Sequence, residues 1–287
     1  MPQRILFVFG TRPEAIKMAP LVRVFQQQHD RFHSQVAVTA QHREMLDQVL
    51  AFFDIQPDYD LNLMKPGQTL AGLTARLSTG LDELYQTAKP EVVVVQGDTT
   101  TAMMGALIAY YHQIKVMHIE AGLRSGDMYA PFPEEINRKI AGSVTFAHMA
   151  PTERAGKNLQ QEGYSENIFI TGNTVIDALL LGLDILEKEP EKIDPGQYGS
   201  LDLKKQFVLI TGHRRESFGQ SFEHICEAIR ELSEKYPELE FIYPVHLNPN
   251  VREPVNRILA NVDRVHLVEP LDYPHLIWLM KHCHLVL

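Results

Sequence analysis

The sequence is poor in cysteine and in net positive charge. Its two cysteines, Cys226 and Cys283, allow at most one disulfide and favour a reducing compartment. Acidic residues outnumber basic ones by 36 to 27, which gives a formal net charge of −9. Because nucleic acids and membrane surfaces are bound by basic faces, neither is an expected partner.

Several sequence signals are also missing. No apolar run reaches the length of a membrane-spanning helix, and the N-terminus lacks the apolar centre of a secretory signal, so we expect a cytoplasmic protein. The phosphate-binding motifs GxGxxG and GxxxxGK[ST] do not occur, nor do zinc-protease or CxxC patterns. His282-Cys283-His284 has no further cluster to complete a metal site, so no metal is expected. Any anionic ligand therefore needs a local cluster of cationic side chains.

Short apolar runs alternate with longer segments of helical period along the chain. The predicted strands lie at 5–9, 36–39, 92–95, 116–119, 146–149, 168–171, 207–211, 241–245 and 265–268. The predicted helices include 13–28, 43–53, 70–87, 175–187, 219–236, 251–259 and 273–282. This βα repeat predicts an α/β fold with mostly parallel, doubly wound sheets.

A segment rich in charge, proline and glycine at 187–205 interrupts the repeat and reads as a domain connection. We expect a first Rossmann-like domain over 1–173 that carries acid/base carboxylates. A helix and linker should occupy 174–206, and a nucleotide-binding domain should occupy 207–287. The final residues, 284–287, read as the first half of a strand, so we expect the second domain to be incomplete.

Acidic residues stand at the ends of successive predicted strands. Asp98 and Glu120 each follow a buried apolar run, while Glu134 and Glu135 begin the next predicted helix. The carboxyl ends of adjacent parallel strands meet at one crevice, where ligands bind. We therefore expect three carboxylates to face one pocket.

Each of these acids also has a structural interpretation. Asp98 can cap the helix that follows it, and Glu120 can pair with Arg124. Glu134 or Glu135 can favour the helix dipole and pair with Arg138 one turn on. Their coincidence at successive strand ends favours the functional interpretation.

One cationic turn follows the first strand of each predicted domain. Gly10-Thr11-Arg12-Pro13-Glu14-Ala15-Ile16-Lys17 brings Arg12 and Lys17 to a helix start, and Gly212-His213-Arg214-Arg215-Glu216-Ser217 occupies the equivalent place in the second half. Helix N-termini attract anions, and arginine offers bidentate donors to a diphosphate. Plain turns with solvated charges are the alternative.

Longer blocks carry a family resemblance. FGTRPEAIKMAPL, TAQHREMLDQVL, QGDTTT, HIEAGLRSGD, PEEINR, ITGNTVIDALL, TGHRRESFG and YPVHLNPNVREPVNRIL together resemble the non-hydrolysing UDP-N-acetylglucosamine 2-epimerases. The resemblance implies two Rossmann-like domains of the glycosyltransferase-B type with substrate between them. It also implies a homodimer.

The resemblance implies reversible epimerisation at C2 of UDP-N-acetylglucosamine, which serves bacterial surface polysaccharide synthesis. UDP leaves C1 as the C2 proton is removed, and UDP is then added back to 2-acetamidoglucal to give UDP-N-acetylmannosamine. This route needs a base, an acid and a stabilised diphosphate, but no cofactor. Carboxylates crowded in one pocket can divide the acid and base roles between them.

By resemblance, the acid/base candidates are Asp98, Glu120 and Glu134, and which of them removes the C2 proton stays open. Arg138 is expected to orient them, while Arg12, Lys17 and His213 are expected at the diphosphate. Three residues match positions that contact an activating second substrate molecule in some relatives, namely Gln41, Arg214 and His246, and Glu44 completes the candidate activator site. Glu44 stands where some relatives have glutamine, and Gly67 where some have arginine.

The family continues beyond Leu287 with a serine- and glycine-rich turn and a glutamate pair that bind UDP. A catalytically impaired, truncated nucleotide-sugar-binding protein is therefore an alternative. A hydrolysing epimerase, which releases free N-acetylmannosamine, and a glycosyltransferase of the same fold are the other two.

Overall fold

A computed structural model describes residues 1–39, 43–63, 67–212 and 219–287 of the chain. The chain divides into two compact units, Met1–Leu181 and Gly182–Leu287. This boundary falls inside one helix, Thr174–Lys188. Within the described ranges, no helix combines the length and apolar character needed to cross a bilayer.

The first unit is built on a seven-stranded parallel sheet. Its strands are β1 Gln3–Phe9, β2 Phe32–Val38, β3 Tyr59–Asp60, β4 Val92–Gln96, β5 Lys115–Ile119, β6 Ala147–Ala150 and β7 Ile168–Ile170. Its helices are α1 Arg12–Gln27, α2 Arg43–Phe52, α3 Leu70–Ala88, α4 Thr100–Tyr111, α5 Glu134–Ser143, α6 Glu153–Gln161 and α7 Thr174–Lys188, the last of which continues into the second unit. The strand order is β3-β2-β1-β4-β5-β6-β7. The order reverses between β1 and β4, and such a switch point forms a ligand crevice at the carboxyl ends of the strands.

The central strands are apolar because helices cover both faces of the sheet. All five residues of β4 are buried, and its first four are valines. Leu6 and Val8 of β1 pack with Val93 and Val95 of β4 in a core that also includes apolar residues of α3 and α4. This packing fixes β1 and β4 side by side.

Gly10 lets the end of β1 lie directly against the first turn of α4. A Cβ atom at this position would lie 2.0 Å from Thr39 Oγ1 and 2.9 Å from Thr101 Oγ1. The two threonine hydroxyls are themselves 2.9 Å apart and buried. Any larger residue at Gly10 would have to displace Thr39, which follows β2, and Thr101 in the first turn of α4.

The second unit contains a four-stranded parallel sheet. Its strands are β8 Phe207–Leu209, β9 Glu240–Pro244, β10 Val265–Val268 and β11 Leu285–Val286, in the order β10-β9-β8-β11. Its further helices are α8 Gln220–Lys235, α9 Pro249–Leu259 and α10 Tyr273–His282, and two 3-10 turns occupy Pro190–Lys192 and Pro195–Tyr198.

The charged, proline-rich segment at 187–205 packs against this second sheet. Tyr198 is 1% exposed and stacks on Trp278 with ring centroids 5.3 Å apart. Ser200 Oγ lies 2.9 Å from His266 Nδ1, whose Nε2 lies 2.5 Å from the buried Glu240 carboxylate. The segment therefore contributes Tyr198 and Leu201 to the second unit's core.

The predicted α/β fold with two parallel sheets is confirmed. The predicted helices at 70–87 and 273–282 correspond closely to α3 and α10. Strand β3 was not predicted, because two residues are too few to show an alternating or apolar pattern.

Candidate active site

A cavity of about 430 Å³ lies at the switch point of the first sheet. The turns that follow β1, β4 and β5 line it together with the start of α5. Its lining includes Glu14, Lys17, Asp98, Glu120, Glu134 and Asn137. The three carboxylates that the sequence analysis singled out therefore share one cavity.

Asp98 is held from the side of α5. Its backbone carbonyl accepts a hydrogen bond from Asn137 Nδ2 at 2.9 Å. Its carboxylate forms an ion pair with Nη2 of Arg138, while Nη1 of the same guanidinium donates to Glu135 at 3.1 Å. Arg138 thus connects the turn after β4 to the body of α5.

The adjacent Glu134 and Glu135 have different environments. The Glu135 side chain is fully buried and accepts hydrogen bonds from the N–H groups of Ser125 at 3.0 Å and Gly126 at 3.4 Å. Burial alone would raise the pKa of Glu135, but these N–H groups and the Arg138 guanidinium outweigh burial and hold the pKa below its ordinary value. Glu135 is therefore a structural anchor for the loop before α5.

Glu134 instead lines the cavity. Its Oε2 atom is buried and has no hydrogen-bond partner in the part of the chain that the structure describes. Buried polar atoms are normally hydrogen-bonded, so an unpartnered one beside a cavity calls for a ligand, an ion or water. Of the two adjacent acids, Glu134 is the one available to a substrate.

Glu120 is oriented by two donors that both contact Oε2. Lys17 Nζ lies 2.5 Å away and Gln96 Nε2 lies 2.6 Å away. The Glu120 backbone has a φ of 64°, in the left-handed region that non-glycine residues adopt at a cost on the order of 1 kcal/mol. Strained backbone of this kind concentrates at functional sites.

Lys17 therefore contacts a carboxylate in this structure. Its expected contact with a diphosphate stays a prediction. Arg12 is the first residue of α1 and stands between Thr11 and Pro13, which both line the cavity. The turn after β1 and the start of α1 thus bring Lys17 to the cavity wall, while Arg12 adjoins two lining residues in sequence.

The sequence analysis did not single out His118, which supports the turn that leads to Asp98. His118 is 1% exposed, and its Nε2 lies 2.6 Å from the carbonyl oxygen of Gly97. Burial lowers the pKa of His118 to about 4, so the ring is neutral near pH 7 and donates through Nε2–H. A single histidine within an apolar run gives no signal of this contact.

Gln96, Asn137 and Glu14 were also not singled out as site residues. Gln96 ends an apolar strand and is only 3% exposed, and a buried amide at a strand's carboxyl end is the signal that could have identified it. Asn137 and Glu14 lie on helices, and nothing in their spacing reveals which distant turn they contact.

The residues predicted for an activator site lie in different units or outside the described residues. Glu44 is exposed in the first turn of α2, in the first unit. His246 is exposed after β9, in the second unit, where its Nδ1 accepts a hydrogen bond from the N–H of Asn248. Gln41 and Arg214 lie outside the described residues, as does His213.

The fold and the cavity define a class of protein. A doubly wound parallel sheet with carboxylates, a lysine and an arginine at its switch point is typical of α/β enzymes that bind nucleotides or their derivatives. Comparison with known proteins then gives the family. A profile of the family described as UDP-N-acetylglucosamine 2-epimerase matches residues 26–287. The chain belongs to this UDP-N-acetylglucosamine 2-epimerase family.

Individual relatives agree with this assignment. The UDP-N-acetylglucosamine 2-epimerase of Yersinia pestis is 54% identical over 287 residues, which cover 99% of this chain and 76% of that protein. The chain thus spans about three quarters of the length of this relative.

Solved structures give the same result. The crystal structure of UDP-GlcNAc 2-epimerase from Neisseria meningitidis bound to UDP-GlcNAc is 45% identical with a TM-score of 0.89, covering 99% of this chain and 77% of that one. The Methanocaldococcus jannaschii enzyme in complex with UDP-GlcNAc and UDP is 32% identical with a TM-score of 0.78, covering 99% and 78%.

Proposed function

We propose that this protein interconverts UDP-N-acetylglucosamine and UDP-N-acetylmannosamine by eliminating UDP and adding it back. The observation that carries the proposal is the convergence of Asp98, Glu120 and Glu134 on one cavity. The family and its UDP-GlcNAc-bound structures support the substrate.

The reaction requires two proton transfers on opposite faces of the sugar. In the first half, the C2–H bond breaks and its proton passes to a carboxylate. The electrons of that bond form a C1–C2 double bond, and the C1–O bond breaks with its electrons on the diphosphate oxygen. In the second half, that oxygen bonds to C1 again and C2 takes a proton from an acid on the other face. A site without a redox cofactor can perform both halves with positioned carboxylates.

The partners of the three carboxylates differ, which suits a division of roles. Asp98 is paired with Arg138, and Glu120 with Lys17. Glu134 has one oxygen with no partner in the described part of the chain. We assign Glu134 to direct proton exchange with the sugar. Asp98 and Glu120 supply the second proton-transferring group, on the other face of the sugar, and stabilise the charge that develops during the reaction. The cations that hold them also offset the negative charge that a bound diphosphate brings.

We further propose that His213, which follows β8 in the sequence, contacts the nucleotide. We also propose that the protein is a homodimer and that its product supplies surface polysaccharide synthesis. These assignments rest on the family resemblance. Sedimentation velocity tests the dimer, and a single species with the mass of one chain would exclude it.

Product analysis tests the proposed function. The protein is incubated with UDP-N-acetylglucosamine, and the products are separated by ion-exchange chromatography and identified by NMR. We expect UDP-N-acetylmannosamine without accumulation of free sugar. Free N-acetylmannosamine with stoichiometric UDP would favour a hydrolysing epimerase, and glycosyl transfer to an added acceptor would favour a glycosyltransferase. Glu134→Gln is the matched inactive variant, and Glu153→Gln in the first turn of α6 is the matched active one.

A further inference from the structure

Glu14 is a buried acid at the cavity. It makes one hydrogen bond more than the capping of its own helix requires. It lies in the first turn of α1 and is 1% exposed. Its Oε2 accepts hydrogen bonds from the N–H groups of Gly10 at 3.1 Å and Thr11 at 2.8 Å, and from the Thr11 hydroxyl at 2.7 Å. Its Oε1 accepts a fourth hydrogen bond, at 2.6 Å, from the hydroxyl of Thr99.

The contacts of Oε2 form an ordinary helix cap. Thr11 and Glu14 make a capping box, in which the threonine caps the helix and the acid binds the N–H of the capping residue. The bond to Thr99 is outside this motif, because Thr99 is 85 residues away and belongs to the turn after β4. One carboxylate therefore joins the two turns on either side of the switch point.

Thr99 transmits this contact to Asp98. It follows Asp98 directly and is the N-cap of α4, where its Oγ1 accepts a hydrogen bond from the N–H of Ala102 at 3.0 Å. With Oγ1 held between Glu14 and Ala102, the backbone around Thr99 and Asp98 has little freedom. Asn137 Nδ2 adds a further restraint by donating a hydrogen bond to the Asp98 carbonyl.

Glu14 also moves with Lys17, since both lie in the first two turns of α1. The bridge to Thr99 thus ties α1, which carries Lys17, to the turn that carries Asp98. The side chains of Lys17, its partner Glu120 and Asp98 all line the cavity. Burial raises the pKa of Glu14, and its four hydrogen bonds oppose that shift. Retaining a costly buried acid at this point is consistent with a functional use.

We propose that Glu14 is a positioning residue for the reaction, which acts through Thr99 to fix Asp98 relative to Lys17 and Glu120. This inference rests on the proposed function. A direct proton transfer by Glu14 is the alternative, because its side chain also lines the cavity.

Substitutions that separate shape from charge distinguish these two roles. Glu14→Gln keeps the length of the side chain, and its amide can still donate to Thr99 Oγ1 while its oxygen accepts from Gly10 and Thr11. Glu14→Asp keeps the titratable carboxyl but is too short to bridge both turns. Thr99→Ser keeps the hydroxyl, and Thr99→Val removes it.

Thr152→Val is the matched control for Thr99→Val. Thr152 is the N-cap of α6, and its Oγ1 accepts a hydrogen bond from the N–H of Ala155 at 3.1 Å. It caps a helix in the same way as Thr99, but its hydroxyl makes no bond to Glu14. The two valine variants therefore lose the same capping bond and differ in the bridge.

The experiment measures kcat and KM for epimerisation, the thermal unfolding midpoint and amide hydrogen exchange at residues 98–102. We expect Glu14→Asp and Thr99→Val to lower kcat about 100-fold, because misplacing a catalytic group by about 1 Å has this effect. Their KM should stay within about threefold and their amides at 98–102 should exchange faster. Glu14→Gln and Thr99→Ser should lose less than about tenfold, and Thr152→Val should lower only the unfolding midpoint.

Two results would overturn the inference. If Glu14→Gln is inactive while Glu14→Asp retains activity, Glu14 transfers a proton itself. If Thr99→Val has the same kcat as Thr152→Val, the bond from Thr99 to Glu14 does not affect catalysis, and the Thr99 hydroxyl serves only to cap α4. A wild-type protein that forms no UDP-N-acetylmannosamine would instead contradict the proposed function, and the inference would fail with it.

Discussion

Lys17 Nζ lies 2.5 Å from Glu120 Oε2, although 103 residues separate them in sequence. Both side chains line the cavity and are largely buried, with exposed fractions of 23% and 13%. An ion pair in such a setting is screened less than one at the surface. The pair therefore gives Lys17 a role in orienting a carboxylate at the site.

Replacing Lys17 by methionine removes the ammonium group and keeps most of the apolar stem. Glu120 then loses its cationic partner, so we expect kcat to fall by about 100-fold with a smaller change in KM. Steady-state rates with UDP-N-acetylglucosamine measure both constants. Arg23→Met, further along α1, is the control and should leave kcat unchanged. A large rise in KM at constant kcat would place Lys17 on the diphosphate alone.

The neighbours Glu134 and Glu135 should respond differently to the same change. Glu134→Gln should lower kcat by about 10² to 10⁴ with little loss of stability, because it removes the group that we propose exchanges the proton, and Oε2 of that group has no protein partner within the described residues. Glu135→Gln should lower the free energy of unfolding by about 2 kcal/mol, because it weakens the buried contacts to Arg138, Ser125 and Gly126. Urea unfolding and initial rates measure the two effects. The reverse pattern would show that the wrong glutamate has been assigned to the cavity.

Gly10→Ala should destabilise the protein by about 2 kcal/mol, because the added Cβ would overlap the hydroxyl of Thr39, which follows β2, and crowd the hydroxyl of Thr101 in α4. Gly80→Ala is the control, since Gly80 lies inside α3 and its added Cβ would meet neighbours at ordinary distances of 3.5 Å or more. That substitution should stabilise the helix by about 0.5 to 1 kcal/mol. Urea unfolding distinguishes the two, and equal effects would mean that the Gly10 contact is not tight.

The stability of the first unit should fall in mild acid because of two buried histidines. His118 and His148 are paired in register on β5 and β6 and are 1% and 2% exposed. Burial lowers the pKa of each ring to about 4 from an ordinary 6.5. Between these values the unfolded chain binds protons that the folded chain does not, so stability is complete above pH 6.5 and is lost as the pH falls toward 4.

Each histidine accounts for up to roughly 3 kcal/mol of this loss, because a tenfold difference in proton affinity between the folded and unfolded chain corresponds to about 1.4 kcal/mol. His118→Gln, which can still donate to Gly97, and His148→Phe should flatten the dependence of unfolding free energy on pH between 4 and 6.5. His29→Gln, at a side chain that is 82% exposed, should not change it. An unchanged slope in both buried-site variants would mean that these rings are not the groups that titrate.

Much of the site could be predicted from sequence because strand ends determine which residues share a crevice. The apolar run before Asp98 and the one before Glu120 identify neighbouring parallel strands, and their acidic ends must then converge. The bridge from Glu14 to Thr99 and the pair of Lys17 with Glu120 could not be predicted. Both contacts depend on side-chain rotamers and on turns that come together only in the folded sheet. The periodicity of apolar residues predicts which positions are buried, but it does not predict which polar groups pair with each other.

The Glu134–Glu135 pair shows the same limit of sequence-based prediction for two adjacent residues. The sequence placed both acids at a helix start, and either could have faced the pocket. The structure separates them because consecutive helical residues point about 100° apart, so one side chain meets the cavity and the other meets Arg138 and the loop N–H groups.

The central claim, that carboxylates in one cavity exchange the C2 proton while UDP departs and returns, is tested most directly by solvent deuterium. The protein is incubated with UDP-N-acetylglucosamine in deuterated water, and the sugar C2 position is followed by NMR in both epimers. We expect deuterium at C2 of newly formed UDP-N-acetylmannosamine, and no incorporation with Glu134→Gln. UDP-N-acetylmannosamine that forms with its original C2 hydrogen retained would contradict the account, because C2 would then have been inverted without passing its proton to the protein.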